Sequence, residues 1–518
     1  MTRVTTNKHT TQRFFTRFRG SAIVGLCLIG LSVEGFAQAP VDQLTQPDTT
    51  AALYQTHCAS CHHPQRLGGL GPALLPENLS RLKPQHAIET ILQGRPATQM
   101  PAFSEHLSQE QAAKLAEFLY QPSPAPVTWD EADIRDSHQV YFPAESLGHR
   151  PLFEADLMNL FIVVESGDHH ATLLDGDTFT PIHRFKTRYA LHGGPKFSPD
   201  GRYVYFASRD GWISQFDIYN LKTVAEIRAG INTRNLALSA DGRWVMVANY
   251  LPHTLTILDA DRLEVIKTIP VKAGDATSRV SAVYTAPQRH SFIAALKDFR
   301  EVWEIQYDTP GFPIRKMATE DYLDDFFFDQ QYRHLIGTSR SGETGQVIEL
   351  DSGSTIATLD LPGMPHLGSG ISLESQHGPL LLTPHLREGA VSVINMTDWR
   401  PVKTISTFGP GFFARSHDGS PYAWVDVFFG PHKDKLHVID KNTLEIISTI
   451  TPEPGKTAAH VEFTKDGRYA LVSLWEMEGA LIVYDAKSLK EVTRIPMSKP
   501  SGKYNVYNKT HYVSGTSH

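Results

Sequence analysis

Two thiols and an imidazole stand together in Cys58-Ala59-Ser60-Cys61-His62. Cysteines three positions apart fall on one helical turn, so both can bond the vinyl groups of a haem while the next residue's imidazole binds the iron from below. Cys-x-x-Cys-His is the attachment signature of a c-type haem. Half of a zinc site would look alike, but zinc takes four ligands and this chain of three Cys has no second pair. Met100, in the loop Gly94-Arg95-Pro96-Ala97-Thr98-Gln99-Met100-Pro101, is the candidate sixth ligand. A thioether there raises the reduction potential and closes the iron to small ligands, which suits electron transfer. Cys58 and Cys61 would hold haem c covalently, with His62 and Met100 as the axial pair.

The elements around these residues predict a small helical domain over 48–121. One helix enters the motif, and a second starts at Ser108-Gln109-Glu110-Gln111, where Ser caps and Gln reaches back. Residues 122–128, rich in Pro, read as a semi-rigid linker.

Residues 1–39 carry five basic side chains, then the apolar run Ser21–Leu31, then small residues around Ala37 and Ala39. That is the pattern of a secretory signal peptide and predicts a periplasmic protein. Removal of the leader would take Cys27 with it and leave two cysteines, both spent on haem. No other segment is long enough to span a membrane. The chain has 49 basic and 56 acidic residues. An acidic balance of this kind argues against a nucleic-acid partner.

From about residue 155 the sequence becomes short β-branched and aromatic runs between Gly, Asp, Asn and Pro. Asp200-Gly201-Arg202-Tyr203, Asp241-Gly242-Arg243-Trp244 and Asp466-Gly467-Arg468-Tyr469 repeat one turn into a strand, with a weaker copy at Asp418. A period near 40 residues with this content means propeller blades. Eight are predicted, near 160–186, 197–228, 238–269, 282–308, 326–360, 373–405, 413–450 and 463–496, all within a domain of residues 129–518. Residues 502–508 would close the ring on the first blade, removing an exposed edge. The fold class is thus a small all-α class I cytochrome c domain followed by an all-β eight-bladed propeller.

Loops just before innermost strands point at a propeller's axis, and there the chain places His192, Arg234, Arg279, Asp324, His366 and His460. Imidazoles so placed can ligate or flank an iron, and arginines beside them can hold carboxylates.

An exported cytochrome c domain before an eight-bladed propeller resembles the cytochrome cd1 family, whose propeller carries non-covalent haem d1. The likeness rests on Tyr189-Ala190-Leu191-His192, Ser208-Arg209-Asp210-Gly211, Gly230-Ile231-Asn232-Thr233-Arg234, Asn249-Tyr250-Leu251-Pro252, Pro365-His366-Leu367-Gly368 and Gly502-Lys503-Tyr504-Asn505-Val506-Tyr507-Asn508. It implies His192 as the proximal ligand of haem d1, with Arg209, Arg234, Asn235 and Tyr250 holding its carboxylates and polar edge. Arg279 belongs with them by its place near the axis.

The nitrite reductases of the family are expected to carry two distal histidines, and His366 matches one. Asp324 stands at the other position, Ser369 where the reductases have arginine, and His460 where they have glutamine. Nitrite reduction consumes two protons and wants a positive pocket, so these exchanges weaken it. The altered set, with Gly68–Asn78 and Gly94–Pro101, is similar to the dehydrogenase branch of the family, which makes haem d1 for denitrification. That resemblance implies removal of two electrons and two protons from a propionate of dihydro-haem d1, giving the acrylate. His192 and His366 would hold the substrate iron, His460 would take a proton, and haem c would pass electrons to an external acceptor. A contact with the nitrite reductase that receives the product would follow. An altered nitrite reductase and a non-enzymatic haem d1 carrier are the competing readings.

Overall fold

In a computed structural model, residues 49–95, 100–338 and 343–516 are described. The signal-peptide expectation, and residues 96–99 of the loop before Met100, lie outside them. Among the described residues no helix is long and apolar enough to cross a membrane.

Helices Thr50–His57, Ala59–His62, Pro76–Leu79, Pro84–Gln93 and Gln109–Leu119 form the N-terminal part. The last starts at the reciprocal cap read from the sequence: Gln111 N–H donates to Ser108 Oγ at 3.2 Å, and Ser108 N–H to Gln111 Oε1 at 2.9 Å. Leu53, Tyr54, Ile91, Leu115 and Leu119 pack into one buried cluster between the helices.

Among the described residues eight antiparallel sheets of four or five strands follow, with a small two-stranded ribbon, Lys272–Ala273 against Ala276–Thr277, beside them. Seven begin with their own buried strand, from Lys196–Phe197 and Asn232–Leu238 through to Ala458–Phe463. Outermost strands such as Pro181–Lys186 and Ser354–Asp360 alternate with solvent, while first strands such as Val280–Ala286 are buried throughout and line the axis. The remaining sheet takes its fourth strand from the far end of the chain: Pro500–Asn505 pairs with Leu160–Glu165, Tyr504 opposite Ile162 and Lys503 opposite Val163. The closing strand stops at Asn505, whose side chain accepts from Asn508 N–H at 3.1 Å and caps the short helix Val506–Thr510. The second half of the predicted closing segment is therefore helical.

The repeated turn has one chemistry in three blades. Asp200, Asp241 and Asp466 each accept from a hydroxyl two residues earlier, Ser198, Ser239 and Thr464, at 2.5, 2.5 and 2.7 Å. Each hydroxyl oxygen in turn accepts the N–H that opens the next strand. The glycine between sits at φ 72°, 74° and 72°, where a side chain would be strained.

Helical part and propeller meet in a buried contact. Arg228, 4% exposed, donates to the carbonyls of Leu67 at 2.6 Å and Gly68 at 3.3 Å, and its Nε to that of Asp210 at 2.9 Å. Asn78 donates to the Ile231 carbonyl at 3.1 Å, and Ala73 and Leu75 pack on Ile231.

Candidate functional site

The helix carrying the cysteine motif breaks at Cys58 (φ −118°, ψ −34°). Cys61 and His62 N–H both return to the Cys58 carbonyl, at 3.2 and 2.9 Å, so both thiols and the imidazole share one tight turn. His62 is buried and donates Nδ1–H to the Pro72 carbonyl at 2.8 Å. That leaves Nε2 as the lone-pair nitrogen, the tautomer an iron ligand needs. Gly71 lies flat against this ring, where a Cβ would stand 2.5 Å from His62 Cε1. Burial, with Cys61 nearby, pushes the Cys58 thiol up to about 11. Met100 packs into the same apolar cluster as Cys58 and Leu53. Two thiols, a tautomer-fixed imidazole and an apolar wall fit a haem. Among the described residues no three His, Cys, Asp or Glu side chains gather to hold a metal ion by themselves.

At the propeller axis, His192, Arg234, Asn235, Asp324, His366, Ser369 and His460 line one cavity of about 580 Å³. His192 donates Nδ1–H to the Arg234 carbonyl at 2.6 Å, which makes Nε2 its acceptor. Arg234 Nη1 donates to that Nε2 at 2.8 Å, and its Nε to the Ser281 carbonyl at 2.8 Å. Burial, then Arg234 and Arg209, hold His192 well below the usual imidazole range. Burial opposes the charge on Arg234, but Tyr250, Asp325, Tyr284 and Asp324 outweigh it and raise the guanidinium.

His366 follows the same rule from another blade. Its Nδ1–H donates to the Phe412 carbonyl at 2.8 Å, and its ring lies 4.3 Å from that of Phe412. Asp325 Oδ2 stands 3.7 Å from His366 Nε2, held by Gly368 N–H at 3.1 Å, while Tyr284 O–H donates to Asp325 Oδ1 at 3.2 Å. Asp324 is instead ion-paired with Lys297.

His460 is 2% exposed, sits at φ 49°, and has a buried Nδ1 with no hydrogen-bond partner among the described residues. Burial, then Lys503, Arg415 and Lys509, hold it well below its ordinary value, so it is a neutral imidazole. Its ring contacts Phe413 at 4.7 Å and Tyr504 at 5.4 Å.

Three residues expected at the tetrapyrrole are absent from the cavity wall. Arg279 is held bidentate by Asp298 at 2.9 and 2.5 Å. Tyr250 faces Arg279 and Lys297 across its ring, at 5.8 and 6.0 Å. Arg209, outside the wall, still lowers His192 through its charge. Asn235 lines the cavity, but its amide is engaged on both sides by the Val283 backbone, at 2.8 and 3.1 Å. Sequence reasoning missed Arg81, which the helical part contributes to the cavity, and also Asp325 and Tyr504. Tyr504 was signalled by glycines: a Cβ at Gly194 would stand 2.9 Å from its ring and one at Gly502 2.3 Å from its hydroxyl. A larger cavity, about 780 Å³, lies under the C-terminal tail and holds none of the three axis histidines.

A cysteine-histidine turn in a helical domain, joined to a propeller with three imidazoles around an axial cavity, defines a two-centre redox protein. The family described as Cytochrome D1 heme domain matches residues 155–509, and Cytochrome C oxidase, cbb3-type, subunit III matches 45–119. The chain is 57% identical, over 96% of its length and 100% of the relative's, to the dihydro-heme d1 dehydrogenase of Pseudomonas aeruginosa. It is 24% identical to a nitrite reductase of Stutzerimonas stutzeri, covering 94% of this chain and 97% of the relative. The solved structure of dihydro-heme d1 dehydrogenase NirN in complex with DHE aligns with TM-score 0.87 and 58% identity, covering 89% of this chain and 99% of that one. The chain belongs to the cytochrome d1 haem-domain family, among its dehydrogenases, and is an oxidoreductase.

Proposed function

We propose that this chain oxidises a propionate of dihydro-haem d1 to the acrylate of haem d1, in the periplasm. The carrying observation is the pairing of His192 and His366. Each commits Nδ1–H to a backbone carbonyl, so each offers Nε2 to an iron, and a neutral His460 lines the same cavity. The dehydrogenase relative, at 57% identity over its whole length, supports the choice of reaction.

Turning –CH2–CH2– into –CH=CH– releases two protons and two electrons. His192 and His366 would bind the substrate iron and leave no open position for nitrite. Arg234 donates to His192 Nε2 at 2.8 Å, so it must release that nitrogen on binding, and its guanidinium then becomes available to a substrate carboxylate. Arg209, Tyr250 and Arg279 serve from behind the wall, and Asn235, within it, holds the neighbouring strand through the Val283 backbone. His460 takes one proton, since a neutral, desolvated imidazole is a competent base, and the second leaves to water. Cys58, Cys61, His62 and Met100 would hold haem c, which would supply a one-electron acceptor ahead of an external one. The product then passes to the nitrite reductase of the same family.

Anaerobic incubation of the oxidised protein with dihydro-haem d1 tests this. The expected extract is a tetrapyrrole lighter by two hydrogens. Recovery of unchanged substrate from a stable complex would favour a carrier, and nitric oxide from added nitrite an altered reductase.

A further inference from the structure

One acidic group lies beneath both histidines of the reacting side. Asp426 ends the strand Tyr422–Asp426, is fully buried, and takes no substrate-facing position in the cavity wall. Its Oδ1 accepts from Phe412 N–H at 2.7 Å and Phe413 N–H at 3.0 Å, and its Oδ2 from His460 N–H at 3.1 Å.

Each of these bonds leads to an imidazole. The Phe412–Phe413 peptide, whose N–H donates to Asp426, presents the Phe412 carbonyl that takes His366 Nδ1–H at 2.8 Å, and the Phe412 ring packs on His366. The Phe413 ring packs on His460 at 4.7 Å. His460 itself sits in the left-handed region, at φ 49°, where a non-glycine residue is strained. It is held there from two sides, its N–H by Asp426 and its carbonyl by Lys503 Nζ.

We propose that Asp426 is the positioning residue of the reaction, setting His460 and His366 against the same substrate through three backbone N–H bonds. The inference rests on the reading of His460 as base. The buried carboxylate is kept here, despite its desolvation cost, for the three N–H groups it holds.

Asp426→Asn tests it, in the full chain with haem c attached. An Asn retains one acceptor oxygen. Two N–H groups compete for it at Phe412 and Phe413 against one at His460, so the amide NH2 is turned toward His460 N–H, donor against donor. His460 should lose its place while His366 keeps its own. The expected result is a dihydro-haem d1 complex with the parent's visible spectrum and a Kd within about threefold, but a dehydrogenation rate lower by about 100-fold, the cost of a misplaced base. In a His460→Ala background the same substitution should change the rate less than about twofold, because the two act as one unit. Asp426→Glu, which keeps the charge opposite Lys503 and both oxygens, should recover to within about tenfold of the parent and serves where the Asn variant folds poorly. Asp426→Asn at the parent rate, or lowering His460→Ala by the same factor as the parent, overturns the proposal. His460→Ala at the parent rate overturns the base assignment itself.

Discussion

Removing the guanidinium of Arg228 while keeping its apolar stem, as in Arg228→Met, breaks two bonds between propeller and haem domain, to the carbonyls of Leu67 and Gly68. Hydrogen bonds to a charged group contribute about 1.5–3 kcal/mol each. The same substitution relieves the desolvation of a residue 4% exposed, whose burial already depresses its basicity, so the low end applies to both bonds. The expected loss is about 3 kcal/mol, or roughly 100-fold in the local docking equilibrium. Asn78 on Ile231 and Asn232 on Glu77 remain, so the parts stay attached but open more often. Hydrogen exchange reads this directly: amides of Gly68, Leu74 and Ile231 should exchange about 100-fold faster, with those of Val245 and Val247 inside the blade unchanged. Substrate affinity should hold while haem c reduction slows. Unchanged exchange at Gly68 and Ile231 would refute the assignment of Arg228 as the clasp.

Gly71→Ala should drive a methyl into the His62 ring, 2.5 Å away; the haem would attach, but its spectrum would show a disturbed axial ligand. Gly194→Ala combines φ 69° with a Cβ 2.9 Å from the Tyr504 ring, and should cost about 1–3 kcal/mol of stability and lower the affinity for dihydro-haem d1, as titration would measure. His460 lies below its ordinary value in the folded chain, so it stays unprotonated where a free imidazole begins to charge. The dehydrogenation rate should therefore be flat from about pH 9 to 6.5 and fall only in more acidic solution. The unfolded chain takes up that proton first, so stability also drops as pH falls below about 6.5. A rate midpoint at or above 6.5 would contradict the buried, neutral base.

The repeated Asp-Gly-Arg turn made the blades legible, because each copy spends its Asp and a preceding hydroxyl on the same local bonds. Local chemistry writes itself into local sequence. His192, His366 and His460 were legible by recurrence at one place in the blade. Arg279 shared that place, yet Asp298, 19 residues on, takes it out of the wall. No spacing rule could anticipate this, since the choice between a carboxylate of the protein and one of a ligand is made in three dimensions. Arg81 reaches the cavity from the haem domain, and Asp426 acts through peptide units of two loops; neither contact leaves a period. Asp426 did leave a faint mark, a lone acid in the apolar run Trp424-Val425-Asp426-Val427-Phe428. The closing strand turned helical at Val506 because the Asn505 side chain is a good N-cap, a signal outweighed by the expectation of a full strand.

In the proposed reaction electrons leave a tetrapyrrole at the propeller axis and reach the haem that Cys58 and Cys61 would hold. Rapid mixing of dihydro-haem d1 with an excess of the oxidised protein, without oxygen or another acceptor, tests it by the visible spectrum. Two haem c should be reduced for each tetrapyrrole converted to the haem d1 spectrum, the two changes sharing a rate that His460→Ala slows. Conversion with haem c still oxidised, or binding with neither change, would contradict it.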